Sequence, residues 1–503
     1  MKPNFNIFRR SNLGSQGQGH EEDKVPSSKE TARAGTFSSL LKPSKKVGPS
    51  PTMLHSFRSI ICSSWINLLL VCIPVSWALN FATDNDTLIF VFSFLAIIPL
   101  AKLLAFATDE LSMRVGQTLA GLINATLGNA VELIVAIIAL TQCKLHIVQS
   151  SLIGSMLSNL LLVLGMCFFA GGVRFSEQGF GLVASQLNSS LLTIAVIAVL
   201  LPAAFYYNVT TQTDSDEGQD LLKVSHGVAL ILLFIYAAYL VFQLYSHAAL
   251  YNDENDIIKS TKYAPRPKKT KSTKSLKSSV DFSHSHPDGS HVESVTSAED
   301  EEEEVPQMNL VTTIVLLVIV TVLVSVTAEW LVDSIDGLTD TGTISQEFVG
   351  IILLPIVGNA AEHVTAVTVS VKDKLTLSLG VAVGSTLQIA LFVIPFIVTL
   401  GWMIGKPLTL LFDPYESITL FLAVLTVNYS VQDGKSNWLE GMILMCLYII
   451  LCVTFWYYPG TLLHTTSTEL FPLTFILNRL RPLGLIKHMH IKGLKRLEKT
   501  SMP

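Results

Sequence analysis

Two carboxylates occupy matching positions in the two hydrophobic halves of this 503-residue chain. Glu132 ends a segment with the sequence GNAVE, and Glu362 ends a segment with the sequence GNAAE. The second copy follows the first by 230 residues, and the same offset carries Gly154-Ser155 onto Gly384-Ser385. An ionisable side chain inside a long apolar segment is costly and usually functional. The two glutamates are therefore the centre of a candidate site.

The polar side chains near each glutamate carry oxygen ligands. Asn129 and Asn359 precede the glutamates by three residues, so each shares a helix face with its glutamate. On the next apolar segment, the equivalent positions hold Ser155 and Ser158 in the first half and Ser385 and Gln388 in the second. Hard cations such as Ca²⁺ take roughly six to eight oxygen ligands, whereas softer metals favour Cys or His. The set predicts a hard-cation site.

The charge of the glutamate pair indicates what the site exchanges. Two carboxylates neutralise one divalent cation, and without the cation two buried carboxylates repel each other and take up protons. A site that holds either a divalent cation or protons is the physical basis of a cation/proton antiporter. His363, next to Glu362, is a candidate proton relay. The alternative is that the glutamates, His363 and the serines are packing residues between helices.

The composition is typical of a polytopic membrane protein. Half of the residues are hydrophobic and 15% are charged. The formal net charge of −5 does not indicate a nucleic-acid partner, so membrane lipid and the transported ions are the expected partners. The six cysteines show neither a disulfide framework nor a zinc spacing. With no nucleophile–base constellation and no phosphate loop, we expect neither an enzyme nor a bound cofactor.

Runs of about twenty apolar residues are long enough to cross a bilayer, and they predict an all-α fold with eleven transmembrane helices. The predicted spans lie near 58–82, 88–107, 111–141, 146–172, 181–207, 221–245, 308–332, 346–371, 375–402, 413–430 and 438–458. One leading helix precedes two groups of five, so equivalent segments cross in opposite directions, as in the inverted repeats of secondary transporters. The spans 111–141 and 346–371 should be broken at their Gly-Asn pairs, where freed backbone groups line a cavity.

The chain divides into six regions by composition. They are a disordered cytosolic tail (1–55), a leading helix (56–83), a first five-helix repeat (88–245), a polar loop (246–306), a second five-helix repeat (307–458) and a basic tail (459–503). We place the N-terminus and the 246–306 loop in the cytosol, because the loops on the other side are acidic. Eleven spans then place the basic C-terminal tail in the lumen, against the positive-inside rule.

The two GNxxE segments, each followed by a Gly-Ser segment, resemble the α-repeats of the Ca²⁺/H⁺ exchanger (CAX-type) family, within the cation/Ca²⁺ exchanger superfamily. The resemblance runs from about 56 to 458, and the fungal vacuolar exchangers share the eleven spans and an acidic stretch in the central loop. It implies a vacuolar-membrane antiporter that moves cytosolic Ca²⁺ into an acidic vacuole in exchange for H⁺. The ion ligands that it implies are Glu132, Glu362, Asn129, Asn359, Ser155, Ser158, Ser385 and Gln388, with backbone carbonyls near Gly128 and Gly358.

Three further expectations stay open from the sequence. The acidic run Glu299-Asp300-Glu301-Glu302-Glu303-Glu304 resembles a family segment thought to concentrate or sense cytosolic Ca²⁺, and the alternative is a solvated charge run. Oxygen ligands suit Mn²⁺ as well as Ca²⁺, so an antiporter for Mn²⁺, or for K⁺, is the second hypothesis. A channel or a Ca²⁺-sensing scaffold is the third.

Overall fold

The computed structural model describes residues 48–209, 217–247, 250, 260–263, 305–340, 342 and 344–460. The described chain is mostly helical. Most of the predicted tail 1–55, the acidic run Glu299–Glu304 and almost all of the tail 459–503 lie outside the described residues. A helix begins at Met53, three residues before the predicted boundary between the tail and the leading helix.

The first half consists of long apolar helices separated by short breaks. Its elements are α1 (Met53–Cys62), a 3₁₀ turn (Trp65–Val71), α2 (Cys72–Ala82), α3 (Asp86–Ser112), α4 (Gln117–Leu127), α5 (Ala130–Thr141), α6 (Leu145–Leu157), a π-helical turn (Ser158–Val163), α7 (Leu164–Arg174), β1 (Phe175–Gly179), α8 (Leu182–Val209), α9 (Glu217–Val241) and a π-helical turn (Phe242–Ser246). Polar caps start several of them. At α3, the side chain of Asn85 accepts a hydrogen bond from the backbone N–H of Leu88.

The second half repeats this pattern. Its elements are β2 (Thr261–Lys262), α10 (Leu310–Thr339), α11 (Gln346–Phe348), a π-helical turn (Val349–Leu353), α12 (Leu354–Gly358), α13 (Ala360–Val371), α14 (Leu375–Gln388), a π-helical turn (Ile389–Val393), α15 (Ile394–Met403), α16 (Pro414–Ser430), β3 (Lys435–Ser436) and α17 (Trp438–Trp456). The turns after α5 and α13 each contain a residue in the left-handed region, Cys143 (φ 60°) and Asp373 (φ 66°). These two residues are also 230 positions apart, so the repeat extends to backbone geometry.

Eight helices in the described part of the chain are long and apolar enough to cross a membrane, and two bent helix pairs bring the number to ten. The bends are 46° between Leu119–Leu127 and Ala130–Thr141, and 57° between Gln346–Gly358 and Ala360–Val371. Both breaks lie at the predicted Gly-Asn pairs. The helix α16, at the predicted span 413–430, has 17 residues. The structure therefore supports a multi-helix membrane fold, and the count of eleven stays a prediction.

Two segments differ from the sequence-based boundaries. The leading apolar segment is interrupted at Ser63-Ser64, where the Ser64 side chain caps the 3₁₀ turn, so the candidate span is Trp65–Ala82 rather than 58–82. The segment predicted from 111 to 141 loses its first residues to α3, which continues to Ser112. An apolar window cannot detect such local caps and turns, because it averages over them.

Opposite ends of the bundle carry different surface structures. At one end, which we call the sheet face, β1 pairs antiparallel with β2 and with β3. At the other, the Lys144 face, Lys144 forms an ion pair with Asp336, 2.9 Å between Nζ and Oδ2. The prediction of an all-α fold is thus corrected by three short strands, which contain only two to five residues each and leave no alternating pattern to recognise.

Candidate cation-binding site

The two glutamates lie at the helix breaks, in the first turns of α5 and α13. Asn129 and Asn359 are the N-cap residues of these helices, with backbone angles outside the helical region. A helix N-terminus carries partial positive charge, which stabilises a nearby carboxylate. Glu132 is 9% exposed, and the Oε2 atom of Glu362 is buried. The breaks therefore place both carboxylates in the interior.

Each glutamate packs against the glycine of the opposite repeat. A Cβ atom added to Gly358 would lie 2.7 Å from Oε1 of Glu132, and one added to Gly128 would lie 3.9 Å from Oε1 of Glu362. The two GNxxE segments thus contact each other, glycine against glutamate, where the two halves meet. The charge of Glu132 acts on Glu362. The sequence predicts that both copies contribute to one site, and the glycine contacts show how closely they approach.

A chain of amide and hydroxyl groups connects the first break to the second repeat. The amide of Asn129 donates from Nδ2 to Gln388 and accepts at Oδ1 from the Ser385 hydroxyl, 2.9 Å away. Asn159 donates to the same hydroxyl over 3.1 Å. The repeat does not predict a role for Asn159, since its counterpart 230 residues later is Ile389. The only signal in the sequence is a polar amide within an apolar run.

The second break lacks the equivalent hydrogen bonds among the described residues. Among the described residues, neither Nδ2 nor Oδ1 of Asn359 has a hydrogen-bond partner, and Oε2 of Glu362 also lacks one. Buried polar atoms without partners are uncommon and destabilising. Ser158, which the repeat places opposite Asn359, instead approaches Nε2 of His363 at 3.4 Å. The donor set therefore leaves oxygen ligands available on the side of Asn359 and Glu362.

π-Helical turns follow the ligand-bearing helices at the same place in both repeats. One begins at Ser158 itself and the other at Ile389, directly after Gln388. A π-turn adds a residue to one helical turn, shifts the faces of the helix and is frequent at functional sites. It changes the phase of the helix immediately beyond Ser158 and Gln388. No sequence pattern predicts these turns, because their residues are apolar like those around them.

A cavity of about 20 Å³ adjoins the glutamate of the first repeat. A space of this size holds one or two water molecules. The polar or chain-turning residues in its lining are Glu132, Ser151, Ser155, Pro355 and Gly358. The remaining lining residues are apolar. Ser151 precedes Ser155 on α6, so the cavity extends from Glu132 toward the Lys144 face.

The predicted ligands thus meet at one place but contribute unequally. Glu132, Ser155 and Gly358 adjoin the cavity, and Asn129, Ser385 and Gln388 form the hydrogen-bonded cluster. Glu362 and Asn359 lie at the second break, with Gly128 of the first break packed against Glu362 and with Ser158 and His363 nearby. The geometry is compatible with a cation bound by oxygen atoms, and the assignment of individual ligands stays a prediction.

Comparison with known proteins identifies the class of this fold and site. The sequence profile of the family described as "Sodium/calcium exchanger protein" matches residues 85–245 and 312–457. The chain belongs to this family of exchangers. The two matched regions coincide with the predicted five-helix repeats and leave out the polar loop between them.

Curated relatives include a vacuolar calcium ion transporter from Cryptococcus neoformans, 52% identical over 483 residues, which cover 86% of this chain and 79% of that protein. A Ca²⁺/H⁺ antiporter from Synechocystis is 40% identical over 392 residues, covering 78% of this chain and 97% of that protein. Among solved structures, YfkE is similar with a TM-score of 0.60 and 28% identity, over 78% of this chain and all of that one.

Proposed function

We propose that this protein is a secondary antiporter that moves Ca²⁺ from the cytosol into an acidic vacuole in exchange for H⁺. The observation that carries the proposal is the pair of interior glutamates, each packed against the glycine of the opposite repeat. The names of the relatives, a vacuolar calcium ion transporter and a Ca²⁺/H⁺ antiporter, support the same substrates.

The charge of the site supports exchange rather than permanent binding. Two interior carboxylates without a cation repel each other, and desolvation penalises both charges, so proton uptake relieves the site when Ca²⁺ leaves. Ca²⁺ in turn neutralises both carboxylates at once. Because the two occupants compete for the same oxygen atoms, an acidic compartment favours release of Ca²⁺ and a neutral one favours its binding.

The remaining ligands are proposed from the described contacts. Ca²⁺ needs more oxygen atoms than two carboxylates supply. The amide of Asn359 and the Oε2 atom of Glu362 lack partners among the described residues and are the first additional ligands. Backbone carbonyls freed at the two breaks, near Gly128 and Gly358, extend the set. Asn129 must exchange its contacts with Ser385 and Gln388 before it binds the ion.

The two breaks differ in their hydrogen bonds, and this difference is compatible with an alternating-access cycle. Here the break of the first repeat is bonded to α14, while the equivalent amide of the second repeat is not bonded to α6. An inverted repeat can exchange these two arrangements, which moves the opening of the site from one face to the other. We place the sheet face in the cytosol, with the N-terminus and the loop 246–306, and the Lys144 face in the lumen.

The test is Ca²⁺ uptake into proteoliposomes with an acidic interior. We expect uptake to collapse when a protonophore is added, and Glu132→Gln and Glu362→Gln each to abolish it, because a neutral amide neither balances Ca²⁺ nor releases a proton. Glu440→Gln is the control, since Glu440 lies near the sheet face, bonded to Asn437. Wild-type uptake in either site variant, or uptake that ignores the protonophore, contradicts the antiporter.

The same assay separates the second candidate, an exchanger for Mn²⁺. The oxygen-only donor set favours both ions, so the ligands alone do not distinguish them. Competition by Mn²⁺ at concentrations equal to those of Ca²⁺ would indicate a broad divalent specificity. Uptake of Ca²⁺ that Mn²⁺ leaves unchanged would restrict the substrate to Ca²⁺.

A further inference from the structure

A second group of interior carboxylates lies at the Lys144 face, away from the paired glutamates. Glu347 is on α11, Asp413 caps α16, and Glu416 is in the first turn of α16. Their exposed fractions are 8%, 1% and 1%. The charges of Glu347 and Asp413 both act on Glu416. Three carboxylates from two distant parts of the sequence therefore share one interior position.

The carboxyl group of Asp413 accepts several hydrogen bonds. Its Oδ1 atom accepts hydrogen bonds from the backbone N–H groups of Tyr415 and Glu416, at 2.8 and 3.4 Å. The hydroxyl of Tyr458 lies within hydrogen-bond distance of both oxygen atoms, at 2.9 and 3.0 Å. These contacts hold the Asp413 side chain in place at the start of α16.

Glu416 has the opposite surroundings. Its Oε1 atom is buried and has no hydrogen-bond partner within the described part of the chain. The carboxyl group also faces the backbone N–H of Asp413, as in a reciprocal helix cap, so only one of its oxygen atoms is left without a partner. An interior carboxylate close to other carboxylates is unstable unless it binds a cation. The described residues contain no group of three or more His, Cys, Asp or Glu arranged to hold a metal ion. A proton neutralises a carboxylate by bonding to one oxygen atom, so it needs no further ligands around Glu416.

The titratable groups around Glu416 come from every element packed on α16. Asp413 and Glu347 act on Glu416 directly, and Tyr415 and Tyr458 contact each other beside Asp413. The elements packed on α16 also carry His146 on α6, Tyr206 on α8, and Tyr448 and Cys452 on α17. Nε2 of His146 lies 3.5 Å from Oε1 of Glu347, and the His146 side chain is 22% exposed. The partly exposed His146 side chain thus connects Glu347 with the aqueous compartment. Gly460 covers the cluster, since a Cβ there would overlap Oε1 of Glu347.

A row of hydroxyl groups runs from this cluster toward the paired glutamates. After His146, α6 carries Ser150, Ser151 and Ser155, and the last two line the cavity that contains Glu132. Ser150 lies against Gly350 on the neighbouring π-turn. From His146 to Ser155 the helix rises about 13 Å, at about 1.5 Å per residue.

We propose that Glu347, Asp413 and Glu416 form a proton-binding site at the Lys144 face that supplies protons along α6 to Glu132. This proposal rests on the proton coupling proposed above. A proton from the compartment neutralises one carboxylate of the cluster and then moves along the hydroxyl row. It ends on Glu132 and takes the place of the departing Ca²⁺. The cluster keeps protons close to the site while the cavity stays too narrow for bulk water.

The experiment compares Glu416→Gln and Glu347→Gln with the control Glu440→Gln in proteoliposomes. The exterior pH is fixed and the interior pH is varied. We expect the rate of proton-driven Ca²⁺ uptake to fall roughly tenfold in each cluster variant. Removing a group that transfers the proton directly would lower the rate about a hundredfold or more, and the cluster acts at a distance. The dependence of uptake on interior pH should flatten. Exchange of labelled for unlabelled Ca²⁺ at equal pH moves no protons and should persist.

Each result decides the proposal. The proposal is overturned if Ca²⁺ uptake in both cluster variants depends on interior pH as it does in the wild type. It is also overturned if both variants lose Ca²⁺ exchange at equal pH, because that loss indicates a structural role. Binding of one additional Ca²⁺ per wild-type protein relative to Glu416→Gln also overturns it, since the cluster would then hold a metal ion. Failure of the antiporter itself is distinct, because the wild type would then show no response to interior pH.

Discussion

At the scale of single residues, the glycines of the GNxxE segments act as part of the binding site. Gly358 provides the surface on which the carboxylate of Glu132 rests, and Gly128 does the same for Glu362 at a greater distance. Their role is to leave room rather than to adopt an unusual backbone conformation. A methyl group at Gly358 must displace the carboxylate, because the closest atom belongs to Glu132.

We expect Gly358→Ala to weaken Ca²⁺ binding while the fold is retained. Overpacking an interior position costs about 1–3 kcal/mol, so the apparent affinity should fall on the order of tenfold. Gly380→Ala is the matched control, as its added Cβ meets no atom within 4 Å. The measurement is the Ca²⁺ concentration for half-maximal uptake. Equal values for the two variants would contradict the contact with Glu132.

At the scale of secondary structure, α6 and the π-turn Val349–Leu353 pack with their backbones almost in contact. A Cβ added to Gly154 would overlap the backbone O, Cα and C atoms of Ile351. Small residues permit such close helix packing in membranes, where dispersion contacts replace the hydrophobic effect as the main stabilising force. The contact holds the cavity lining on α6 beside the break at Gly358.

We expect Gly154→Ala to destabilise the protein, by about 1–3 kcal/mol, because two backbones must separate to admit the methyl group. Gly227→Ala in α9 should be neutral or slightly stabilising, since its Cβ would meet nothing within 4 Å and alanine favours a helix. Thermal unfolding of the purified variants in detergent checks the difference. A melting temperature of Gly154→Ala equal to that of Gly227→Ala would show that the helices are not held this closely.

At the scale of the whole molecule, the two ends of the bundle are built differently. The sheet face joins parts of both repeats to the central loop, through β1, β2 and β3. The Lys144 face joins the repeats through the Lys144–Asp336 ion pair and through Lys406, which donates to the backbone carbonyl of Thr141 over 3.0 Å. The inverted topology of the two halves stays a prediction.

We expect Cys143 and a Lys262→Cys substitution to be labelled from opposite sides of the membrane. Cys143 is exposed at the Lys144 face and Lys262 is exposed on β2. With the other cysteines replaced, a membrane-impermeant thiol reagent added to intact vacuoles should label only position 262, and Cys143 only after permeabilisation. The reverse pattern would invert the proposed orientation, and labelling of both from one side would contradict the topology.

The sequence by itself determined the paired glutamates, the asparagines beside them, the two helix breaks and the positions of most apolar helices. These features are local or repeat at a fixed offset, so residue type and spacing are enough to detect them. The family also followed from the same motifs.

Tertiary structure alone decided which atoms meet. The glycine opposite each glutamate lies 226 residues away in the chain for Glu132 and Gly358, and only packing of the two repeats brings them together. The Asn159 contact, the π-turns and the three short strands depend on neighbours that no local pattern encodes. The carboxylates Glu347, Asp413 and Glu416 are single acidic residues at helix starts in the sequence. They become one interior cluster because α11 and α16 begin at the same face, where burial makes their charges interact.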